Sequence, residues 1–317
     1  MTSGIPFYTA DVFTGEMFGG NQLAVFPAAT GLDTGLMGSI ARELNLSETV
    51  FVFPPDDPTR TRKLRIFTPG AELPFAGHPT LGAAFVLASI GEVALDGAST
   101  SIVFEEGVGP ISVTIRAEGG RPAFCALTAA RLPEFGPPPP PLDEVAAVLS
   151  LRPEEIRRDG FSPRAASCGL PFFFVPLRDE AALGRARLDL SVWERSFSSW
   201  WAPQLYPFAE TAGGNRADIR ARMFAPGLGI AEDPATGAAA AALAGYLAAA
   251  ASPGNGTLRW VVDQGIEMGR PSRMHVECDR NGERLTAVRV GGLAVMVAEG
   301  NLAVPSNRTA ARRPPER

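Results

Sequence analysis

An α+β protein of two similar lobes with a cleft between them is what this sequence predicts, and three observations carry the prediction. Two segments, 77–91 and 238–251, are apolar on every side and helix-forming. Residues 65–84 and 222–241 resemble each other. A run of five prolines at 137–141 stands between them, where neither a helix nor a central strand can continue. The expected organisation is an N-terminal lobe over 1–133, a Pro-rich linker over 134–142, a C-terminal lobe over 143–304 and a polar, disordered tail over 305–317.

The elements follow in order. Residues 5–13 and 21–27 carry the aromatic and branched residues of strands around a Gly-rich turn. Leu36, Met37, Ile40 and Leu44 recur at helical spacing behind Asp33 or Thr34, both capping residue types, which predicts a helix over 33–45. Residues 49–54 form the next strand, with Ser47 and Glu48 at the junction, and 63–70 form a strand ending in a turn. The segment "GHPTLGAAFVLASIG" then reads as a helix buried all round. Beyond the prolines, strands resume at 169–177 and 219–227. The uncharged run Ala238 to Ala251 spans 14 residues. A bilayer needs about 20, so this is a core helix.

Composition narrows the function classes. A chain of 317 residues, 45% hydrophobic and 20% charged, can bury a sizeable core. A net charge of -5 without long like-charge blocks gives no footprint for nucleic acid or an anionic membrane, so the expected partner is a small molecule. The N-terminus lacks a basic segment followed by an apolar one, so the expected location is cytoplasmic. Cys125, Cys168 and Cys278 are odd in number, far apart and outside any CxxC, which argues against disulfides and zinc. Lys63 is the sole lysine and lies in "TRTRKLRIF", not in a Walker A loop or a pyridoxal-phosphate context. No metal and no cofactor is expected.

The internal repeat points to the chemistry. "RIFTPGAELPFAGHPTLGAA" and "RMFAPGLGIAEDPATGAAAA" align His78-Pro79 with Asp233-Pro234 and Gly82 with Gly237. Asp is a favoured N-cap and Pro a favoured first helical residue, so both sites read as helix starts, with Gly77 and Gly82 permitting close approach of a ligand. Free N–H groups and the dipole at such ends suit an anion, such as a carboxylate. Capping alone accounts for an Asp-Pro or His-Pro in most proteins. Two titratable groups at matching ends of two buried helices make His78 and Asp233 catalytic candidates. Glu48 alone reads as a solvated carboxylate.

Taken together, "GGNQLAVF", "ARELNLSETVFV", the two repeat segments and "QGIEMGRPS" resemble the phenazine-biosynthesis isomerase family, the PhzF-like proteins, over about residues 5 to 300. The resemblance implies a diaminopimelate-epimerase-like fold, each lobe a curled, mostly antiparallel sheet around one central helix. It also implies a cofactor-independent isomerase, with trans-2,3-dihydro-3-hydroxyanthranilate as the best-studied substrate. The glutamate of "NLSE" is the family's acid/base, which carries over to Glu48. His78 and Asp233 flank the reacting ring, Asn21 and Gly237 line the substrate, and the same motifs bring in Ser47, Gly77, Thr236 and Ala238. A homodimer is implied too.

One departure stands out: the phenazine isomerases have a serine where this chain has Ala238. Two readings compete with the isomerase: a family member that binds a small acid or a protein without turnover, and an amino-acid epimerase lacking the two-thiol mechanism. No G-x-S-x-G or H-E-x-x-H supports a hydrolase or metalloenzyme.

Overall fold

The strand and helix signals of the first 130 residues become β1 (Ser3–Val12), β2 (Asn21–Phe26), α1 (Thr34–Leu44), β3 (Glu48–Phe53), β4 (Arg62–Phe67), β5 (Glu72–Leu73), α2 (Gly77–Ser89), β6 (Ser99–Glu106), β7 (Gly109–Glu118) and β8 (Arg121–Thr128). The remainder forms β9 (Glu134–Phe135), α3 (Leu142–Val148), β10 (Arg164–Ser167), β11 (Pro171–Pro176), α4 (Glu180–Arg185), α5 (Leu190–Ser196), β12 (Gln204–Glu210), β13 (Ile219–Ala221), α6 (Gly237–Ala250), β14 (Gly256–Gln264), β15 (Ser272–Asn281) and β16 (Arg284–Val304). These belong to a computed structural model that describes residues 3–211 and 217–304. The tail 305–317, expected to be disordered, lies outside the described residues.

The chain forms a mixed α/β fold. Strands β1, β2, β3, β4, β6, β7, β8 and β16 pair in that order, and β16 pairs back onto β1, closing a barrel. From β16 the sheet runs on through β15, β14, β13, β12, β11 and β10 to β9. From β1 to β8, successive neighbours pair antiparallel, parallel, antiparallel, parallel, antiparallel and antiparallel. The same series recurs from β10 to β16. Helix α2 precedes the second strand of a parallel pair, β6, and α6 precedes its counterpart β14.

Helix α1 starts on the Asp33 carboxylate, which accepts the Leu36 N–H at 2.8 Å, and ends on left-handed Asn45. Its Met37, Ile40 and Ala41 pack with Phe26, Phe51 and Phe67 on the barrel exterior. Helix α2 is buried from Gly77 to Ala88 and packs against β1, β2, β3, β7, β8 and β16. Helix α6 packs against β10, β11, β14, β15 and β16. Among the described residues no helix is long and apolar enough to cross a membrane.

The Pro-rich stretch 134–142 holds β9, which pairs with β10, and Pro141, which stands as the N-cap of α3. Segment 143–304 ends in a strand that both halves share. Residues 284–291 of β16 pair with β15, 289–293 with β8, and 294–304 with β1, including a bulge.

Gly82 has a role other than admitting a ligand. A Cβ there would stand 2.4 Å from Leu23 Cδ2 and 2.8 Å from Val12 Cγ2, so the bare backbone lets α2 press against the barrel wall. Gly82→Ala is expected to destabilise the protein by about 1–3 kcal/mol through overpacking, read as a lowered denaturant midpoint at unchanged slope.

Candidate active site

Helices α2 and α6 start against each other. A Cβ on Gly77 would lie 3.4 Å from the Ala238 nitrogen and 3.5 Å from the Gly237 Cα, and one on Gly237 would lie 3.1 Å from Cζ of buried Phe13. Ala76 and Thr236 precede the helices, and neither puts a side chain on the free helix N–H groups. Two uncapped positive ends thus meet at one place, an arrangement that favours a carboxylate.

This corrects the helix starts read from the sequence. His78 is the second residue of α2, not its cap, and Asp233 precedes α6 by several residues. The helix starts pair Gly77 with Gly237, whereas the sequence alignment paired Gly82 with Gly237. Asp233 does not cap because its carboxylate is taken: Oδ1 accepts from Asn21 Nδ2 at 3.0 Å and Oδ2 from Thr236 Oγ1 at 2.5 Å.

Glu48 opens β3, where pairing with Leu23 of β2 fixes it beside α2. Its Oε2 lies 3.2 Å from His78 Nε2, with both side chains buried. That distance would suit an ion pair, but neither atom makes a well-formed hydrogen bond, and among the described residues no arginine or lysine pairs with Glu48. Burial, with the nearby Asp233 charge, pushes Glu48 up to about 8. Burial pushes His78 down to about 3, against a hydrogen bond to the Gln22 backbone that favours its charged form. The contact is therefore one between a neutral carboxyl and a neutral imidazole. Asp233 is raised by burial to about 6 and held from rising further by Thr236 and Asn21. At neutral pH one carboxyl is protonated and the other ionised, the separation that marks acid/base sites.

Asn21 also donates to the Ala235 carbonyl at 2.9 Å, tying β2 to the loop ahead of α6. Ser47 is half-buried on the turn before β3, and Ala238 is the half-buried second residue of α6. Two supports were not foreseen. Gln264, at the end of β14, donates to the Asp233 carbonyl at 2.7 Å and to Thr236 Oγ1 at 3.1 Å, and accepts from Tyr206 at 2.9 Å. The available signal was its place at the head of the motif "QGIEMGRPS". Arg270 pairs with Asp11 at 2.6 Å and donates to the Gly19 and Gly20 carbonyls, fixing the turn that leads into Asn21. Burial holds the Cys125 and Cys278 thiols up at about 12 and about 11, so neither offers a thiolate base. No metal-binding cluster occurs among the described residues.

The model of the phenazine biosynthesis-like protein family, PhzC-PhzF, matches residues 10–300. The chain belongs to this family. An uncharacterised isomerase from Mesorhizobium japonicum is 41% identical over 295 residues, covering 92% of this chain and 96% of that protein. The trans-2,3-dihydro-3-hydroxyanthranilate isomerase of Pseudomonas aeruginosa is 35% identical over 301 residues, covering 93% and 98%. A PhzF-family protein from Bacillus anthracis superposes with a TM-score of 0.84 at 24% identity, covering 95% of this chain and all of that one, and so shares the fold. As a PhzF-family member whose relatives are named isomerases, the chain is an isomerase.

The raised Glu48 has a consequence for stability. Its folded value lies above the unfolded one, so its contribution is full below about pH 4.5 and is lost as pH rises through about 8. Glu48→Gln removes that loss. The variant is expected to gain stability relative to the unsubstituted protein as pH rises across this window, reaching roughly 2–4 kcal/mol, measured by denaturant unfolding at a series of pH values.

Proposed function

We propose that the chain isomerises a small unsaturated carboxylic acid by moving one proton between two of its carbons, with Glu48 as the carrier. The site is a cleft between two pseudo-symmetric lobes, each a curled sheet around one helix. The observation that carries this reading is the burial of Glu48 against neutral His78 where two uncapped helix starts meet. The helix-end N–H groups hold the substrate carboxylate. Ala238 offers no hydroxyl there, so backbone donors bind it.

An allylic shift needs a base that can return what it takes. With its value near 8, Glu48 is ionised in about a tenth of molecules at neutral pH. Its carboxylate takes a proton from one carbon, and the resulting acid delivers it to another. Nothing is oxidised and no proton is gained overall, so the reaction needs no cofactor. Asp233, ionised, accepts a hydrogen bond from a substrate amino or hydroxyl group, and neutral His78 orients Glu48. The name of the Pseudomonas aeruginosa relative makes trans-2,3-dihydro-3-hydroxyanthranilate the first substrate to try.

Proton NMR in D2O with that compound is expected to show isomerisation by the protein and none by Glu48→Gln, which still binds it. Binding without conversion by the unsubstituted protein would support a non-catalytic family member instead. If Glu48 is the base, kcat/KM rises with pH toward a plateau above about 8. A profile already flat from pH 5 would assign the proton transfer to another group.

A further inference from the structure

We infer that Glu106, held as a neutral carboxylic acid, is a positioning residue for the isomerase: through Thr80 it fixes and polarises the peptide unit that presents the Gly77 N–H to the substrate. The inference rests on the reading that the start of α2 faces a substrate carboxylate.

Counting protons gives the protonation state. Thr80 is fully buried in the first turn of α2, and its Oγ1 lies 2.7 Å from the Ala76 carbonyl oxygen and 2.7 Å from Glu106 Oε1. A hydroxyl has one hydrogen, and a carbonyl oxygen can only accept. The Thr80 proton therefore goes to Ala76, and the bond to Glu106 takes its proton from Glu106. The other oxygen, Oε2, is buried without a partner. That is tolerable for the carbonyl oxygen of an acid and costly for a carboxylate. Among the described residues no arginine or lysine pairs with Glu106, and burial pushes it up to about 8.

The chain of bonds ends at the site. The Ala76 carbonyl and the Gly77 N–H are the two ends of one peptide unit. A hydroxyl donating to the carbonyl, supplemented by the Thr80 N–H at 3.3 Å, strengthens the N–H at the other end.

The second half of the molecule supplies an independent parallel. Glu106 is the last residue of β6, the strand after α2, and Gln264 is the last residue of β14, the strand after α6. Each bonds a threonine at the start of its helix: Glu106 to Thr80 at 2.7 Å, Gln264 to Thr236 at 3.1 Å. Gln264 is an amide and donates without ionising. A protonated Glu106 does the same work in the first half.

The test combines kinetics on trans-2,3-dihydro-3-hydroxyanthranilate with two readouts that need no turnover. Thr80→Val is expected to raise KM about three- to tenfold, the worth of one hydrogen bond, with kcat within about twofold. Thr80→Ser restores KM, and Glu106→Gln, whose amide can donate to Thr80, keeps it within about twofold of the original. In the infrared difference between the unsubstituted protein and Glu106→Gln at neutral pH, a protonated-carboxyl C=O band is expected. In the NMR spectrum, Thr80→Val is expected to move the Gly77 amide proton upfield. A difference spectrum with only carboxylate bands overturns the inference, as does an unmoved Gly77 amide or a Thr80→Val variant that loses kcat at constant KM. If the compound is not turned over at all, the proposed reaction fails on its own, and the infrared and NMR readouts still decide the state of Glu106.

Discussion

Helices α2 and α6 begin against each other, glycine facing glycine, and much of the molecule follows from that meeting of two positive helix ends. Gly77 and Gly237 face each other at contact distance, and Phe13, just after β1, closes to 3.1 Å of where a Gly237 Cβ would stand. Two like dipole ends repel, so the surroundings must hold them together. Barrel strands β1, β2, β3, β7, β8 and β16 pack against α2, strands β10, β11, β14, β15 and β16 pack against α6, and Asn21 ties β2 to the loop ahead of α6 through Asp233 and the Ala235 carbonyl. The repulsion is stored as affinity for whatever anion lies between the ends.

Electrostatics around this junction follow one rule. Carboxyls and an imidazole are buried without a cation, so their protons become the adjustable quantity. Glu48 and His78 resolve their contact by both being neutral. Asp233 keeps its charge because two donors, Asn21 and Thr236, reach it. Pairing Glu48 with arginine would have held it ionised and made it a weaker base.

Much of this was legible in the sequence, and the limits have physical causes. The buried helices were readable because α2 and α6 are apolar on every face, and the Asp33 cap of α1 because capping is local. The repeat was readable, but its register at the helix starts was not. Runs of glycine and alanine carry no signal for where a helix begins, and Asp233 imitates a cap while bonding elsewhere. The burial of Glu48 was invisible as well, because the 24 residues between it and Leu23 conceal that they are partners in a parallel strand pair. The family resemblance, not residue chemistry, marked that glutamate. Gln264 and Arg270 stand in the motif "QGIEMGRPS", but their roles were unreadable because their work is done on distant backbone carbonyls.

Strand β16 has a consequence for how the chain is made. Its final residues, 294–304, close the barrel by pairing with β1, some 290 positions earlier in the chain. A nascent chain emerging from the ribosome therefore carries every other barrel strand for the whole time the second half is being synthesised, with the seam beside β1 open. The barrel begins folding before its last strand exists, and its exposed strand edge has to be kept from pairing with other chains until β16 has been made.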